Sequence, residues 1–326
     1  MEIENKIYDL LIIGGGPIGM ACAIEARNKG LNYLVLEKGA LVNSLFNYPL
    51  YMTFFSTAER LEIGDVPFTC IAPKPGRQEA LEYYRNIQKH FNLNIQLNER
   101  VISVNKQQSG EFIVHSEKGW YHARNVVIAT GFYDIPVYMD VPGENLPHVR
   151  HYYKEAHEYA FSKVVVVGAN NSSVDAALEC WHKGADVTML IRKGEINNRV
   201  KYWIKPDIEN RIDEGSIKAF YYSTITEIRQ NEVDVFTPDG TVTLETDYVL
   251  ALTGYRPDIE FLKKCGITIS NNLFCTPQYD PETMETNIKG LYLAGVVCGG
   301  METHKWFIEN SRIHAKMIVQ HVITLQ

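Results

Sequence analysis

The glycine-rich stretch GGGPIGMAC, residues 14–22, constrains the fold of this chain more than any other feature. Gly14, Gly16 and Gly19 form the pattern G-x-G-x-x-G. The pattern directly follows the apolar run YDLLII and precedes a predicted helix at 17–29 and a strand, NYLVLE. A strand, a helix and a strand in this order predict a βαβ unit with parallel strands. In that context the glycine pattern predicts a dinucleotide-binding fold.

Each glycine of this first cluster has its own predicted role. Gly14 permits a tight turn, Gly16 lets the backbone approach a pyrophosphate, and Gly19 lets the helix pack on the sheet. The phosphates would meet free N–H groups at the positive end of the helix. Glu37 ends the second strand and is placed to accept hydrogen bonds from an adenosine ribose, which predicts a free 2′-OH. The alternative is a glycine-rich turn followed by a surface glutamate.

A looser copy of the cluster, GANNSS, begins at Gly168 between the strand KVVVVG and a second predicted helix. Asn170 and Ser173 replace the second and third glycines, so the motif alone also fits an ordinary turn from strand to helix. Each cluster is followed by a β-rich stretch that ends in a similar phrase, NVVIATG (125–131) or DYVLALTG (247–254). This weak internal duplication predicts two nucleotide-binding domains.

The second copy differs from the first in charge. Its last strand ends in LIRKG, which places Arg192 and Lys193 where the first copy has Glu37. These cations would pair with a 2′-phosphate, which favours NADPH over NADH, although a solvated basic pair is the alternative. An acid in one copy and bases in the other predict FAD as resident cofactor and NADPH as its hydride donor.

The remaining segments predict the arrangement of the domains. Two stretches alternate apolar and polar residues around turn signals at 109–110 and 239–240, which predicts a small antiparallel β-meander in each domain. After Tyr255 only the strand GLYLAG and an amphipathic helix at about 303–322 follow. The predicted fold class is α/β with two Rossmann-like domains. Residues 1–132 and 255–326 are expected to bind FAD, and an inserted domain at 133–254 is expected to bind NADPH.

Composition and charge exclude several classes of partner. The chain has 32 basic and 39 acidic residues and a net charge of −7, which gives no electrostatic footprint for nucleic acid. The N-terminus lacks the features of a signal peptide, and no segment approaches the roughly 18 apolar residues of a membrane span. The six cysteines form no C-x-x-C and no metal-ligand spacing. We therefore expect a reduced, cytoplasmic protein without a metal or a membrane partner.

Several longer phrases resemble known families. VVIATG, ALTGYRPD and TNIKGLYLAGVV are similar to the linker and flavin phrases of the thioredoxin reductase type. More specific phrases resemble the bacillithiol disulfide reductase family: NSLFNYPLYMTFFSTAERLEIGDVPF (43–68), NSSVDAALE (171–179), PETMETNIKGLYLAGV (281–296) and FIENSRIHA (307–315). The resemblance covers the whole chain. It implies a cytoplasmic, homo-oligomeric, FAD-containing reductase that uses NADPH to reduce the disulfide of a low-molecular-weight thiol.

The motifs and the resemblance together assign candidate residues to each cofactor. The candidates for FAD are Gly14, Gly16, Pro17, Ile18, Gly19, Glu37, Lys38, Asn47, Thr130, Gly131, Gly295 and Val296. The candidates for NADPH are Gly168, Asn170, Asn171, Ser172, Ser173, Arg192, Lys193, Thr253 and Gly254. The segment NSLFNYP, which also fits core packing, is expected to face the flavin.

Three departures limit what the resemblance implies. The absence of C-x-x-C excludes a dithiol relay to thioredoxin. Val296 stands where thioredoxin reductases have an aspartate on the ribityl chain, and Ile18 stands where several bacillithiol disulfide reductases have a cysteine. The electron acceptor is therefore a small disulfide or a small redox protein such as ferredoxin or flavodoxin. A flavin monooxygenase and a non-enzymatic NADPH/FAD sensor are further alternatives.

No side chain stands out as catalytic. Cys298 follows the flavin phrase, and His304 begins the predicted last helix, where it could donate a proton. Packing is the alternative role for Cys298, and solvent exposure is the alternative for His304. Cys22 lies on the face of the first helix that packs on the sheet, so we expect it to be structural.

Overall fold

The computed structural model describes residues 6–325, which form two compact units. The first unit contains the described residues up to Tyr48, Met52–Ile135 and those from Tyr255 onward. The second unit contains Pro49–Tyr51 and Pro136–Gly254. Apart from the short segment Pro49–Tyr51, the chain crosses between the units at 135/136 and 254/255. The sequence predicted these boundaries at 132/133 and 254/255.

Several strands lie on the predicted apolar runs, among them YDLLII, NYLVLE, KVVVVG and GLYLAG. In chain order the strands are β1 (Ile7–Ile13), β2 (Tyr33–Leu36), β3 (Ile95–Gln96), β4 (Val101–Lys106), β5 (Phe112–Ser116), β6 (Trp120–Ile128), β7 (Ile135–Pro136), β8 (Val149–Arg150), β9 (Lys163–Val167), β10 (Asp186–Ile191), β11 (Lys218–Tyr221), β12 (Thr224–Ile228), β13 (Glu232–Thr237), β14 (Gly240–Glu245), β15 (Tyr248–Ala251), β16 (Tyr255–Arg256) and β17 (Leu291–Leu293).

The helices include the two that follow the glycine clusters. They are α1 (Pro17–Asn28), α2 (Asn43–Phe46), α3 (Arg77–Phe91), α4 (Asn171–His182), α5 (Lys205–Asp213), α6 (Ile259–Lys264), α7 (Ile308–Ser311) and α8 (Ile313–Thr324). Short 3₁₀ turns lie at Ala58–Leu61, His157–Tyr159 and Gly295–Gly299. Within residues 6–325, no helix has both the length and the apolar character needed to cross a membrane.

The sheet of the first unit has the order β3-β2-β1-β6-β5-β4, with β17 also paired to β6. The central strand β1 pairs in parallel with β2 and β6, and its residues Leu10, Leu11 and Ile12 are fully buried. Such burial on both faces is typical of parallel strands covered by helices. Strand β6 starts in the predicted meander, antiparallel to β5, and continues into the parallel sheet beside β1.

The second unit repeats this plan. Its main sheet has the order β11-β10-β9-β15-β8, so β9 lies between β10 and β15 as β1 lies between β2 and β6. The second predicted meander is a separate antiparallel sheet, β12-β13-β14. The predicted fold class, two Rossmann-like units each with an antiparallel meander, is confirmed.

The last predicted helix is wrong at its N-terminal end. It was expected from about residue 303, but α7 begins at Ile308 and the helix is interrupted at Arg312 before α8. Phe307 has an extended backbone, and its N–H donates to Asn310 Oδ1 at 2.7 Å, which caps the helix there. His304 consequently lies in an exposed turn and does not start a helix.

Candidate dinucleotide-binding sites

The first unit contains a cavity of about 330 Å³ at the carboxyl ends of β1, β2, β6 and β17. Ligands of parallel α/β sheets bind at this edge. Most FAD candidates line the cavity: Gly14, Gly16, Pro17, Ile18, Glu37, Lys38, Thr130, Gly131, Gly295 and Val296. Gly19 and Asn47 do not line it.

The three glycines of the first motif meet three different surroundings. Gly14 has φ +110°, and a Cβ there would lie 2.5 Å from the Ala129 carbonyl oxygen. A Cβ on Gly19 would lie 1.9 Å from the Gly14 carbonyl oxygen, so this glycine serves packing. A Cβ on Gly16 would meet no atom within 4 Å, although Gly16 precedes α1 and lines the cavity. Open space beside a helix N-terminus is what a pyrophosphate requires, so the motif fits a dinucleotide.

Glu37 is a buried carboxylate at the rim of this loop, only 5% exposed. Its Oε2 accepts the Gly15 N–H at 2.6 Å and its Oε1 accepts the Gly39 N–H at 2.9 Å. Burial raises the pKa of Glu37, and the two N–H bonds partly oppose that rise. A carboxylate oxygen has two lone pairs, so both oxygens can still accept a ribose hydroxyl.

Several cavity residues were missed by the motifs. Asp134 is one of them: it pairs with the predicted candidate Lys38 at 2.5 Å, and both line the cavity. Glu99 lies in the wall beside Arg100, and its N–H donates to the Glu37 carbonyl oxygen at 2.8 Å. The signal that could have located Glu99 is its position after β3, because the carboxyl ends of β2 and β3 meet at one edge of the sheet.

The segment NSLFNYP does face the cavity, but through other residues than the one predicted. Asn43, Ser44, Leu45 and Tyr48 lie in the wall. Asn47 is exposed, and its Nδ2 donates to the Asn43 carbonyl oxygen at 2.8 Å. Asn47 directly follows the short helix α2, and at this helix end its side chain is exposed to solvent. A prediction from sequence position alone could not determine this orientation.

The turn after β17 closes another part of the cavity wall. Gly295 has φ +82°, and a Cβ there would lie 3.3 Å from Ile18 Cγ1. The Gly295 N–H donates to His314 Nδ1 at 3.2 Å, and His314 is 1% exposed. Burial lowers the pKa of His314 to about 4, so the ring is neutral at neutral pH. With Nδ1 accepting, the ring proton lies on Nε2.

Neither catalytic candidate from the sequence lies in a cavity wall. Cys298 is fully buried, with Sγ 3.9 Å from His314 Nδ1, and burial raises its pKa. A buried thiol with a raised pKa is a poor nucleophile. His304 lies in its exposed turn. Cys22 is fully buried, and burial raises its pKa to about 12, as expected for a packing residue.

The second unit contains a cavity of about 520 Å³ at the carboxyl ends of β9, β10 and β15. The NADPH candidates that line it are Gly168, Asn170, Arg192, Lys193 and Thr253. Asn171, Ser172, Ser173 and Gly254 lie outside the wall.

The relaxed glycine motif keeps one glycine for a geometric reason. Gly168 has φ +127°, and a Cβ there would lie 2.8 Å from the Leu252 carbonyl oxygen. Ser173 replaces the packing glycine and bonds the helix start, because its Oγ accepts the Asn170 N–H at 3.0 Å and donates to the Asn170 carbonyl oxygen at 2.9 Å. The turn therefore stays closed without a third glycine.

The second cavity combines cations with a polar loop that the motifs did not identify. Arg192 and Lys193 lie in the wall, as do Glu195, Asn197 and Asn198 from the loop after β10. That loop has no recognisable motif. Among residues 6–325, no group of three His, Cys, Asp or Glu side chains could hold a metal ion.

Comparison with known proteins agrees with this geometry. The family described as pyridine nucleotide-disulphide oxidoreductase matches residues 11–295. The chain is 44% identical over 313 residues to the bacilliredoxin reductase Bdr of Bacillus subtilis (strain 168), covering 96% of each sequence. Solved structures of the bacillithiol disulfide reductase Bdr (YpdA) are similar at a TM-score of 0.95 and 41% identity. The one from Staphylococcus aureus covers 98% of this chain and 99% of its own, and the one from Bacillus cereus covers 98% and 100%.

Proposed function

Because this chain belongs to the pyridine nucleotide-disulphide oxidoreductase family, we propose that it is an FAD-dependent reductase that uses NADPH to reduce a low-molecular-weight disulfide of the bacillithiol type. The observation that carries the proposal is the pair of cavities. One is lined by Gly14, Gly16 and Glu37, and the other is lined by Arg192 and Lys193. The balanced reaction is NADPH + H⁺ + RSSR → NADP⁺ + 2 RSH.

When bound, FAD supplies the two-electron chemistry between NADPH and the disulfide. The chain supplies binding and orientation. The backbone at Gly16 would leave room for a pyrophosphate at the start of α1, and the Glu37 carboxylate would accept ribose hydroxyls. In the second unit, the charges of Arg192 and Lys193 select the cofactor that carries a 2′-phosphate.

We propose that no protein thiol relays electrons to the substrate. All six cysteines are free and lie among the described residues, and none lies in the wall of either cavity. Ile18 lines the first cavity. It stands at the position where the resemblance to bacillithiol disulfide reductases leads us to expect a cysteine. The disulfide would then be reduced directly at the flavin.

A stopped-flow experiment tests the proposal. The holoprotein is mixed with NADPH without oxygen, and the loss of flavin absorbance is followed. The reduced sample is then mixed with bacillithiol disulfide, flavodoxin, ferredoxin or oxygen. We expect the disulfide to restore the oxidised spectrum with the highest kcat/KM. Faster reoxidation by flavodoxin or ferredoxin would identify an electron transferase, and substrate-dependent oxygen uptake would identify a monooxygenase. Reduced flavin that persists with every acceptor would favour a redox sensor.

We further propose that the protein acts in the cytoplasm as a homo-oligomer, as the family resemblance implies. Light scattering on the eluted holoprotein tests the oligomeric state. A molar mass equal to the 37.2 kDa of one chain at all concentrations would contradict it.

A further inference from the structure

Helix α4 carries a polar stripe to which the proposed function assigns no role. Asn171, Asp175 and Glu179 in the phrase NSSVDAALE are spaced four residues apart, so they lie on one face of the helix. The sequence assigned Asn171 to NADPH, but all three residues lie outside the cavity wall. The stripe therefore has partners other than the dinucleotide.

One residue, Lys201, is held by the first two members of the stripe. The Lys201 backbone N–H donates to Asn171 Oδ1 at 2.8 Å. Its Nζ donates to Asp175 Oδ2 at 2.8 Å, and the Lys201 and Asp175 side chains are only 7% and 19% exposed. Asn171 Nδ2 in turn donates to the Arg199 carbonyl oxygen at 3.2 Å. These hydrogen bonds attach the end of the loop that follows β10 to helix α4.

This loop contributes one wall of the second cavity. Glu195, Asn197 and Asn198 line it, and the Asn197 N–H donates to the carbonyl oxygen of Ala169, another wall residue, at 3.0 Å. The loop is therefore fastened at Asn197 and again at Lys201. The two fastenings fix its position relative to the start of α4.

A partly buried ion pair is a costly way to gain stability. Desolvation of two charges offsets much of their attraction, and apolar residues of similar size often stabilise a fold equally well. The contribution of the Lys201–Asp175 pair is geometric specificity, because a charged hydrogen bond fixes the positions of the two side chains relative to each other. Lys201 itself lies outside the cavity wall.

We propose that Lys201 is a positioning residue for NADPH, which acts through Asp175 and Asn171 to hold the loop wall that follows Arg192 and Lys193 in the chain. The inference rests on the proposed NADPH site. It predicts that loss of the pair weakens binding of the adenosine 2′-phosphate half of the cofactor and spares the later steps.

The test uses the full chain with FAD bound and calorimetric titration with 2′,5′-ADP. Lys201→Met keeps the length of the side chain and removes its charge, and Asp175→Asn removes the charge of the partner. Each should raise the Kd for 2′,5′-ADP about tenfold, the effect of losing about 1.4 kcal/mol. Each should raise KM for NADPH similarly, with kcat at saturating NADPH unchanged. In the double variant the two effects should not add, because both act on one interaction.

Two controls separate positioning from general loss of structure. Tyr153→Phe removes the hydroxyl that donates to Glu179, a partly buried hydrogen bond on the same face of α4 that includes neither Lys201 nor Asp175. Lys218→Met removes an exposed Lys–Asp pair with Asp186 in the same unit. Both variants should keep the wild-type Kd for 2′,5′-ADP, even where the thermal unfolding temperature falls.

Two outcomes would overturn the inference. One is a folded Lys201→Met or Asp175→Asn variant that binds 2′,5′-ADP as tightly as the unaltered chain. The other is a loss of affinity that Tyr153→Phe matches. Lys201→Arg retains the charge and should restore most of the affinity, and it serves as the folded comparison if Lys201→Met is insoluble. Failure of the unaltered chain to bind 2′,5′-ADP at all would instead refute the proposed NADPH site.

Discussion

The two glycines Gly16 and Gly19 belong to one motif, yet the same substitution at each should damage the protein in different ways. A methyl group at Gly16 meets no atom within 4 Å and projects at the wall of the first cavity. A methyl group at Gly19 would lie 1.9 Å from the Gly14 carbonyl oxygen. We therefore expect Gly16→Ala to spare the fold and impair FAD binding, and Gly19→Ala to impair the fold.

The magnitudes follow from these surroundings. Gly16 has φ −73° and ψ 178°, which any residue adopts, so alanine there is unstrained. It should change the free energy of unfolding of the apoprotein by less than about 1 kcal/mol. At Gly19 the methyl carbon would lie well inside the roughly 3.3 Å at which carbon and oxygen ordinarily meet. Overpacking of this kind costs about 1–3 kcal/mol or more.

Two measurements on the apoproteins check this prediction. Urea unfolding gives the stability, and titration with FAD gives the affinity. Gly16→Ala should bind FAD at least about tenfold more weakly, a loss of about 1.4 kcal/mol. Gly119→Ala is the matched control, because a Cβ there also meets no atom within 4 Å and Gly119 lies outside the cavity wall. Full FAD affinity in Gly16→Ala, or wild-type stability in Gly19→Ala, would refute the reasoning.

Three further predictions concern the second cavity, the buried thiol and the buried histidine. Arg192→Ala should raise KM for NADPH by an amount equivalent to a loss of about 1.5–3 kcal/mol of binding free energy, and it should leave KM for NADH nearly unchanged. Steady-state kinetics with both cofactors check this prediction. Equal effects on the two KM values would show that Arg192 does not belong to the site. Cys298→Ser should leave both flavin reduction and disulfide turnover intact, because the thiol is buried with a raised pKa; a loss of disulfide turnover alone would restore a thiol relay. Burial lowers the pKa of His314 from 6.5 to about 4, so the unfolded chain takes up a proton at a higher pH than the folded chain. The stability contributed by neutral His314 is therefore full above about pH 6.5 and is lost as the pH falls toward 4, and urea unfolding of His314→Asn should lose less stability across that interval; parallel pH profiles would contradict it.

Local sequence patterns predicted the fold and the center of each candidate site. The strand–glycine–helix order located α1 and α4, and the last residue of the second strand in each unit distinguished Glu37 from Arg192 and Lys193. The fold prediction is confirmed. The site residues stay a prediction, which rests on the rule that parallel βαβ units place the ends of successive strands at one edge of a sheet. Within one βαβ unit, the number of residues between two positions therefore predicts where they lie relative to each other in space.

Three candidate residues lie in surroundings that differ from those the sequence predicted. Asn171 was predicted as a cofactor contact, but it holds the loop at Lys201. Asn47 was predicted in the cavity, but the short helix α2 turns it to solvent. His304 was predicted at a helix start, but the cap at Phe307 moves that start to Ile308.

The sequence by itself determined that the chain builds two parallel α/β units, with a glycine turn before the first helix of each unit and side chains of opposite charge after the second strand of each unit. Each of these properties follows from residues within one βαβ unit, where chirality and strand pairing leave little freedom. Only the tertiary structure decided that Cys298 is buried beside His314, that Lys38 pairs with Asp134, and that Lys201 is fastened to α4. Each of these contacts joins residues from different segments of the chain. The number of residues between two such segments does not predict how close they lie in space, because tertiary packing brings them together.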